Sequence, residues 1–501
     1  VRGSDDGRSS VEPRHLACLE TSAKQAGTTG EEEEPVKTDV TLSRREVIVL
    51  GGALGLAAGL PGLITPALGL AADPKEKRYD AVIQIHLVGA PSQLDTFDPK
   101  PGSTSNVYPT IDLGFRDVDD KVVRVTNFLR QIAAAVGDGK GDVRLASLRG
   151  VHHGTGVHTV AQTMMSSFWS SPVGAIYPPA PVILNHFLKS APGALGIPSV
   201  VLADPVLDGS NDAKGTALAP ALEVVAEADP ASAMRLPTGV DAARATRRRD
   251  LVNLISSAFS GSRPDTSIRA WDAATARAHT VAVQGAAAKA FDLRGKQLVP
   301  GTTATVRRRL TLARELVMAG VPYVALGSAS HDTHTNMKAR LTTLWTDQLD
   351  PGIAGLVKDL AASGKRVLIT IGGEFGRTPD SVKPVGGVRR DGRDHWPEAF
   401  SWGLLSINQP DFVSTAIGDT GPDGLFKGAD LIDPTSPSAI GGLVYRCLGF
   451  PLTTETRIRL ADGRLVQPVD QFQATQDFES TVRSTPMTTP RLMRRLFKSI
   501  V

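Results

Sequence analysis

Short, mainly apolar runs recur along this chain, and each stops at a glycine or a polar turn: Asp80 to Val88, Val143 to Leu148, Pro198 to Leu202, Val321 to Leu326, Arg366 to Ile371 and Phe400 to Ile407. They are too short for helices and show little polar alternation, which marks strands covered on both sides. Helix-length patterns separate them, among them Thr303 to Ala319 and Leu341 to Ser363. Strands and helices alternating in this way predict an α/β fold, a mostly parallel central sheet with helices on both faces. From about residue 229 to 295 the pattern changes to Ala- and Arg-rich helical sequence with few aromatics, read as a helical insertion covering one face. A chain of 501 residues is long for one compact domain, and one large domain with insertions over residues 73–501 is the preferred reading.

Open α/β sheets place their chemistry at the carboxyl ends of strands, and three successive strand ends here carry suitable groups. The run ending at Leu326 leads to Asp332 and His334, and the run ending at Ile371 leads to Glu374 and Arg377. Asp394 and His395 stand just before the run that begins at Phe400. Asp, Glu and His together bind divalent metal. Carboxylates with few imidazoles favour Ca²⁺, Mg²⁺ or Mn²⁺; two or three histidines favour Zn²⁺, which is ranked narrowly first. Each group also has a plainer reading. Asp332 would cap a helix with His334 as its neighbour, and Glu374 would pair with Arg377 at a turn. Arg377 is either a bidentate fork for an anionic ester or a structural salt bridge. Asp394 is the carboxylate that would orient His395. A further cluster, His152, His153 and His158, follows the second strand, with His158 its best candidate.

Charge and cysteine count exclude other classes. Lys and Arg number 55 against 52 for Asp and Glu, a net charge of +3 that argues against electrostatic nucleic-acid binding. Arg247–Arg249 and Arg307–Arg309 read as solvated helix faces. Two cysteines, Cys18 and Cys447, exclude a disulfide framework.

Residues 1–42, with Glu31 to Glu34 and many small polar residues, cannot form a core and are read as a disordered leader extension. Arg44-Arg45 precede an uncharged, glycine-rich apolar stretch that ends in small residues near Ala72, so 43–72 looks like a twin-arginine export signal. The alternative is an uncleaved membrane anchor, the one way this chain would touch a membrane. Export implies a periplasmic or other extracytoplasmic location and the twin-arginine machinery as a partner.

The arginine signal, Gly89-Ala90-Pro91-Ser92, Leu94-Asp95-Thr96-Phe97-Asp98-Pro99-Lys100-Pro101, Ala290-Phe291-Asp292-Leu293, Asp332-Thr333-His334, Glu374-Phe375-Gly376-Arg377-Thr378-Pro379 and Gly392-Arg393-Asp394-His395-Trp396-Pro397 together resemble the bacterial domain-of-unknown-function family 1501, placed in the alkaline phosphatase and sulfatase superfamily. The resemblance covers residues 43–501. It implies an alkaline phosphatase-like fold and a centre of up to two divalent ions, with Asp95, Asp332, His334, Glu374 and His395 as ligands. The superfamily's usual Asp-His pair is Glu374-Phe375 here, so one imidazole is missing. The sulfatase nucleophile signature C/S-x-P-x-R is absent, since Ser170-Ser171-Pro172-Val173-Gly174 lacks the arginine. Thr155, Thr159 and Ser92 are the candidate hydroxyls, with His158 as base or further ligand and Arg377 compensating charge. The resulting expectation is an exported metal-dependent hydrolase of sulfate, phosphate or related esters, with catalytic residues His158, Thr159 and Arg377 and a small-molecule or glycan ester as substrate. The alternative expectation is a non-catalytic periplasmic binding protein whose metal centre is structural or degenerate.

Overall fold

In the computed structural model, the described residues are 77–499 except 170–176, 189–194, 203–221, 225–229, 263–278, 284, 329–330, 380–383, 386–387, 390, 451, 453–455, 460–464 and 470–486. The leader extension and the export segment lie outside them, as does the Ser170 to Gly174 segment that lacks the nucleophile signature.

Eight strands form one sheet: β1 (Ala81–His86), β2 (Val143–Val151), β3 (Ser199–Leu202), β4 (Leu222–Val224), β5 (Tyr323–Gly327), β6 (Val367–Gly372), β7 (Phe400–Ile407) and β8 (Thr415–Ile417). Their order is β8-β2-β7-β6-β1-β5-β3-β4. β1 pairs in parallel with β5 and β6, β3 with β4 and β5, and β8 with β2. β7 runs antiparallel between β2 and β6. The protein is therefore an α/β fold with a largely parallel central sheet.

Side chains alternate across the sheet, so each strand feeds two cores. Ile83, Ile85, Leu145, Leu326, Ile369 and Leu405 face Leu310, Leu316, Trp345 and Ile353 from helices on one side. Val82, Leu148, Tyr323, Leu368, Trp402 and Leu404 face Ala161, Met165, Ile183, Ile440 and Leu443 from helices on the other. Strands buried on both faces explain the near-continuous apolar runs. Helix α1 (His158–Ser167) belongs to the second group and follows β2 directly. Between residues 230 and 291 the described elements are helical, Pro230–Ala233, Ala242–Ser262 and Ala286–Phe291. The long helix expected from Leu341 begins at Met337–Leu341 and continues to Asp350–Ala362 through a wider π-helical stretch, Thr342–Leu349. Among the described residues, no helix is long and apolar enough to cross a membrane.

β1, β5 and β6 end side by side, and their following turns carry Gly89-Ala90, Asp332 and Glu374. A two-stranded ribbon pairs Gly376–Arg377 with His395–Trp396, register His395 opposite Arg377, and brings the 391–396 segment onto the same edge. α1 presents its first turn to that edge from the second face.

A candidate metal centre at the carboxyl edge of the sheet

Three imidazoles meet there through the same ring atom. His395 Nε2 lies 3.1 Å from His158 Nε2 and 3.1 Å from His334 Nε2. Asp332 Oδ1 lies 3.1 Å from His334 Nε2, 3.8 Å from His395 Nε2 and 3.9 Å from His158 Nε2. His158, Asp332 and His395 place one donor atom each within 4.8 Å of one another and form a candidate metal-binding triad. His334 adds a fourth donor at its edge.

The other nitrogen of each ring fixes the tautomer. His158 Nδ1 meets Glu374 Oε1 at 2.7 Å, His395 Nδ1 meets the Gly156 carbonyl at 2.8 Å, and His334 Nδ1 meets Asp394 Oδ1 at 3.0 Å. Carbonyl and carboxylate oxygens only accept, so each Nδ1 carries the hydrogen and donates it. In the neutral ring that tautomer leaves each Nε2 a bare lone pair. Arg377 reaches two of these groups, Asp332 Oδ1 and, at 3.4 Å, His334 Nε2, while the neutral His158 and His395 lone pairs face each other, an arrangement that a cation between them would relieve. Two nitrogens bound about 2.0–2.1 Å from one tetrahedral zinc ion stand roughly 3.3 Å apart, close to the separations here. Histidines that hand their second nitrogen to a carboxylate or carbonyl are the usual form of metal-ligating imidazole. The residues present thus fit a divalent ion. Burial, together with the nearby Arg377, His158 and His334, holds the His395 imidazole below its ordinary pKa, although the Gly156 carbonyl works against this; its neutral, ligating form is favoured. The four side chains are 27–43% exposed, so the centre opens to solvent.

Glu374 was expected among the ligands; the structure seats it behind His158. Its Oε1 accepts from His158 Nδ1, from the Gly89 amide at 2.9 Å and from Gln162 Nε2 at 3.1 Å. Gln162 sits four residues after His158, one helical turn on, so both reach the same carboxylate. Burial pushes the Glu374 carboxyl up, but the His158 and His86 imidazoles beside it outweigh burial and hold it well below the usual range. Asp95 is likewise placed away from the imidazoles. Both its oxygens are taken by Arg393, Nε to Oδ2 at 2.8 Å and Nη2 to Oδ1 at 3.1 Å, in a fully buried pair.

Arg377 does not serve as an open anion fork. Its five N–H groups go to the Ala90 carbonyl (2.9 Å), the Gly89 carbonyl (2.6 Å), Asp332 Oδ1 (2.5 Å), the Arg393 carbonyl (3.3 Å) and His334 Nε2 (3.4 Å). Gln93 clamps its backbone from both sides, accepting from the amide and donating to the carbonyl. The turn after β1 is shaped for this contact. Gly89 and Ala90 have φ of 95° and 62°, and the left-handed form costs a non-glycine residue about 1–2 kcal/mol. That strain aims both carbonyls at one guanidinium. Burial raises the Asp332 carboxyl, but the Arg377 hydrogen bond and charge hold it below the ordinary value.

Thr159 follows His158 in the first turn of α1 and is exposed; its carbonyl accepts from the Thr163 hydroxyl at 3.0 Å. His152 and His153 support the loop ahead of α1. His152 Nδ1 reaches the Glu398 carbonyl at 3.0 Å, and His153 Nε2 reaches the Glu374 carbonyl at 2.5 Å. Burial drives His153 down to about 4, so it is neutral and its Nδ1 accepts from the Thr155 amide. Sequence reasoning missed His86, which looked like one more residue of a buried strand, and Gln162, whose helical spacing from His158 was a usable signal.

Residues 79–405 match the family described as "Protein of unknown function (DUF1501)". The chain belongs to that family. The match spans β1 to most of β7 and so takes in every residue of the DUF1501 cluster described above. No curated protein matches the chain. Among solved structures, the zinc complex of the C-terminal periplasmic domain of EcEptC from Escherichia coli is 9% identical, covering 82% of this chain and 97% of that one, with a TM-score of 0.33. Alkaline phosphatase from the Antarctic bacterium TAB5 is 11% identical, covering 75% and 100%, with a TM-score of 0.29.

Proposed function

We propose that this DUF1501 protein is an exported, metal-dependent hydrolase of phosphate, sulfate or related esters, built around one divalent ion held by His158, His334, His395 and Asp332. The observation that carries this reading is the convergence of three Nε2 atoms whose Nδ1 partners are all committed acceptors. A bound divalent ion supplies Lewis acidity, polarising an ester oxygen and lowering the pKa of water toward neutrality. The chain's own part is to hold the imidazoles in one tautomer. Glu374, Gly156 and Asp394 do this, while Arg377 keeps Asp332 ionised and in place. Zinc suits three imidazoles and one carboxylate. Export through the twin-arginine segment at 43–72, with a periplasmic location, is part of the same proposal and rests on the arginine pair and the apolar stretch after it.

Arg377 favours a second reading, a binding protein with a structural ion, because four of its five donors go to three backbone carbonyls and Asp332, which leaves no open fork for an anionic substrate. One experiment separates the two. The full chain is purified and its metal content measured, for the parent and for His395→Ala, and aryl phosphate and aryl sulfate hydrolysis is followed with and without a chelator. About one equivalent of divalent metal in the parent, lost in the variant, with hydrolysis that chelation abolishes, is the expected result. Stoichiometric metal without hydrolysis selects the binding protein. No bound metal overturns both.

A further inference from the structure

We infer that His86 is a positioning residue for this metal centre, acting on His158 through Glu374; the inference rests on the metal-centre reading above. His86 ends β1 at the middle of the sheet and is fully buried, as is Glu374. Its Nε2 stands 3.5 Å from Glu374 Oε2. Glu374 Oε1 already receives three N–H groups, from Gly89, His158 and Gln162. Oε2 is the oxygen that faces His86, so the two ends of the carboxylate are divided between a ligand histidine on one side and a buried histidine on the other. The chain of contacts runs from a central strand, through the turn after β6, to the first turn of α1.

This arrangement fixes more than a distance. His158 can ligate through Nε2 only while Nδ1 holds the hydrogen, and Nδ1 keeps it because Glu374 Oε1 accepts it. The plane of the Glu374 carboxylate therefore sets both the tautomer and the tilt of the His158 ring. Three N–H groups pin Oε1, and His86 is the side chain packed against Oε2, so it limits how far the buried carboxylate can turn about that anchored end. An isosteric apolar side chain at position 86 would fill the space but leave Oε2 without that neighbour. Groups that orient a ligating imidazole are worth about 10–100-fold in metal affinity.

The test uses the full chain with His86→Leu and His86→Gln, where leucine keeps the bulk and glutamine restores a donor. Zn²⁺ affinity is measured by competition with a chromophoric chelator, the visible spectrum of the Co²⁺-loaded protein is recorded, and thermal melts check folding. Expected are about tenfold or greater weakening and a shifted Co²⁺ spectrum in His86→Leu, with His86→Gln returning to within about threefold of the parent. A packing role predicts otherwise: lower melting temperatures, with affinity and spectrum unchanged. Affinity within twofold of the parent in His86→Leu, or equal loss in both variants, overturns the inference while the metal centre stands. A parent that binds neither Zn²⁺ nor Co²⁺ overturns the metal centre, and the inference with it.

Discussion

Gly392 controls how closely the two loops that carry His334 and His395 approach. A Cβ at this position would stand 1.9 Å from the His334 carbonyl oxygen, 2.2 Å from its carbon and 2.8 Å from the Thr335 nitrogen. All three are backbone atoms, so no side-chain rotation relieves the clash. Restoring ordinary carbon–oxygen contact in Gly392→Ala requires the 332–335 and 391–395 segments to part by about 1.5 Å. The His334 and His395 Nε2 atoms are 3.1 Å apart now. Ligands bound about 2.1 Å from one ion cannot stand more than about 4.2 Å apart. An opening of that size along their axis therefore detaches one imidazole from a shared ion. Loss of a ligand should cost at least the 10–100-fold typical of a lost orienting group, about 1.4–2.7 kcal/mol of metal binding. Overpacking adds about 1–3 kcal/mol of lost fold stability. Chelator competition would measure the first and urea denaturation the second. Gly141→Ala is the control, because a Cβ there meets nothing within 4 Å. A folded Gly392→Ala protein with parental metal affinity would refute the reasoning, since the loops would then close without the glycine.

Asp95→Asn should leave metal stoichiometry unchanged and lower stability by about 3–5 kcal/mol in urea denaturation, because it strands the buried Arg393 guanidinium. Loss of metal instead would return Asp95 to the ligand set. Asp419 lies 3.2 Å from Lys100 and 2.8 Å from Lys121; burial raises its carboxyl, but the Lys100 charge and the Lys121 hydrogen bond prevail and hold it below the ordinary value. A depressed carboxyl contributes stability that is complete above the unfolded pKa of about 3.9 and is lost as pH falls below it. Asp419→Asn should therefore cost roughly 1–2 kcal/mol at pH 7 and flatten the acid side of the stability profile, as read by urea midpoints from pH 7 to 3.

Strand positions were legible because burial on both faces leaves its mark on composition: the run Phe400 to Ile407 is β7 to the residue. Its antiparallel direction was not, since pairing partners 250 or so residues apart leave no local trace. The cluster was legible as residue types and misread as roles. Asp394 looked like the partner of its neighbour His395, yet adjacent side chains on an extended segment point to opposite sides, and Asp394 reaches His334 across 60 residues of sequence instead. Glu374 and His158 exchanged parts for a related reason. A glutamate at a strand end and a histidine at a helix start can each face the solvent edge, and which one stands in front depends on how α1 packs on the sheet. Asp95 sits in a turn after β1, and its arginine partner is 298 residues away.

Formal charge within the cluster sharpens the case for a divalent ion. Glu374, Asp332 and Asp394 contribute three negative charges, and Arg377 contributes one positive charge. The three imidazoles, in the neutral form that ligates metal, contribute none, and neither does a neutral His86. The balance is −2, confined to a group of side chains that contact one another and partly removed from water. Arg377 relieves some of the repulsion at Asp332 and His334, but its remaining donors are tied to three backbone carbonyls, so it cannot move into the space between the Nε2 atoms. With the guanidinium fixed at the margin on Asp332, and Glu374 and Asp394 each standing one imidazole behind the Nε2 atoms, the surplus negative charge around the cluster is one that a small dication would offset. The same constraint bears on substrate choice. With four Arg377 donors held by three backbone carbonyls and Asp332, an anionic ester brought to this cluster would meet its positive charge mainly at the ion, so affinity for the ester and occupancy by metal should rise and fall together.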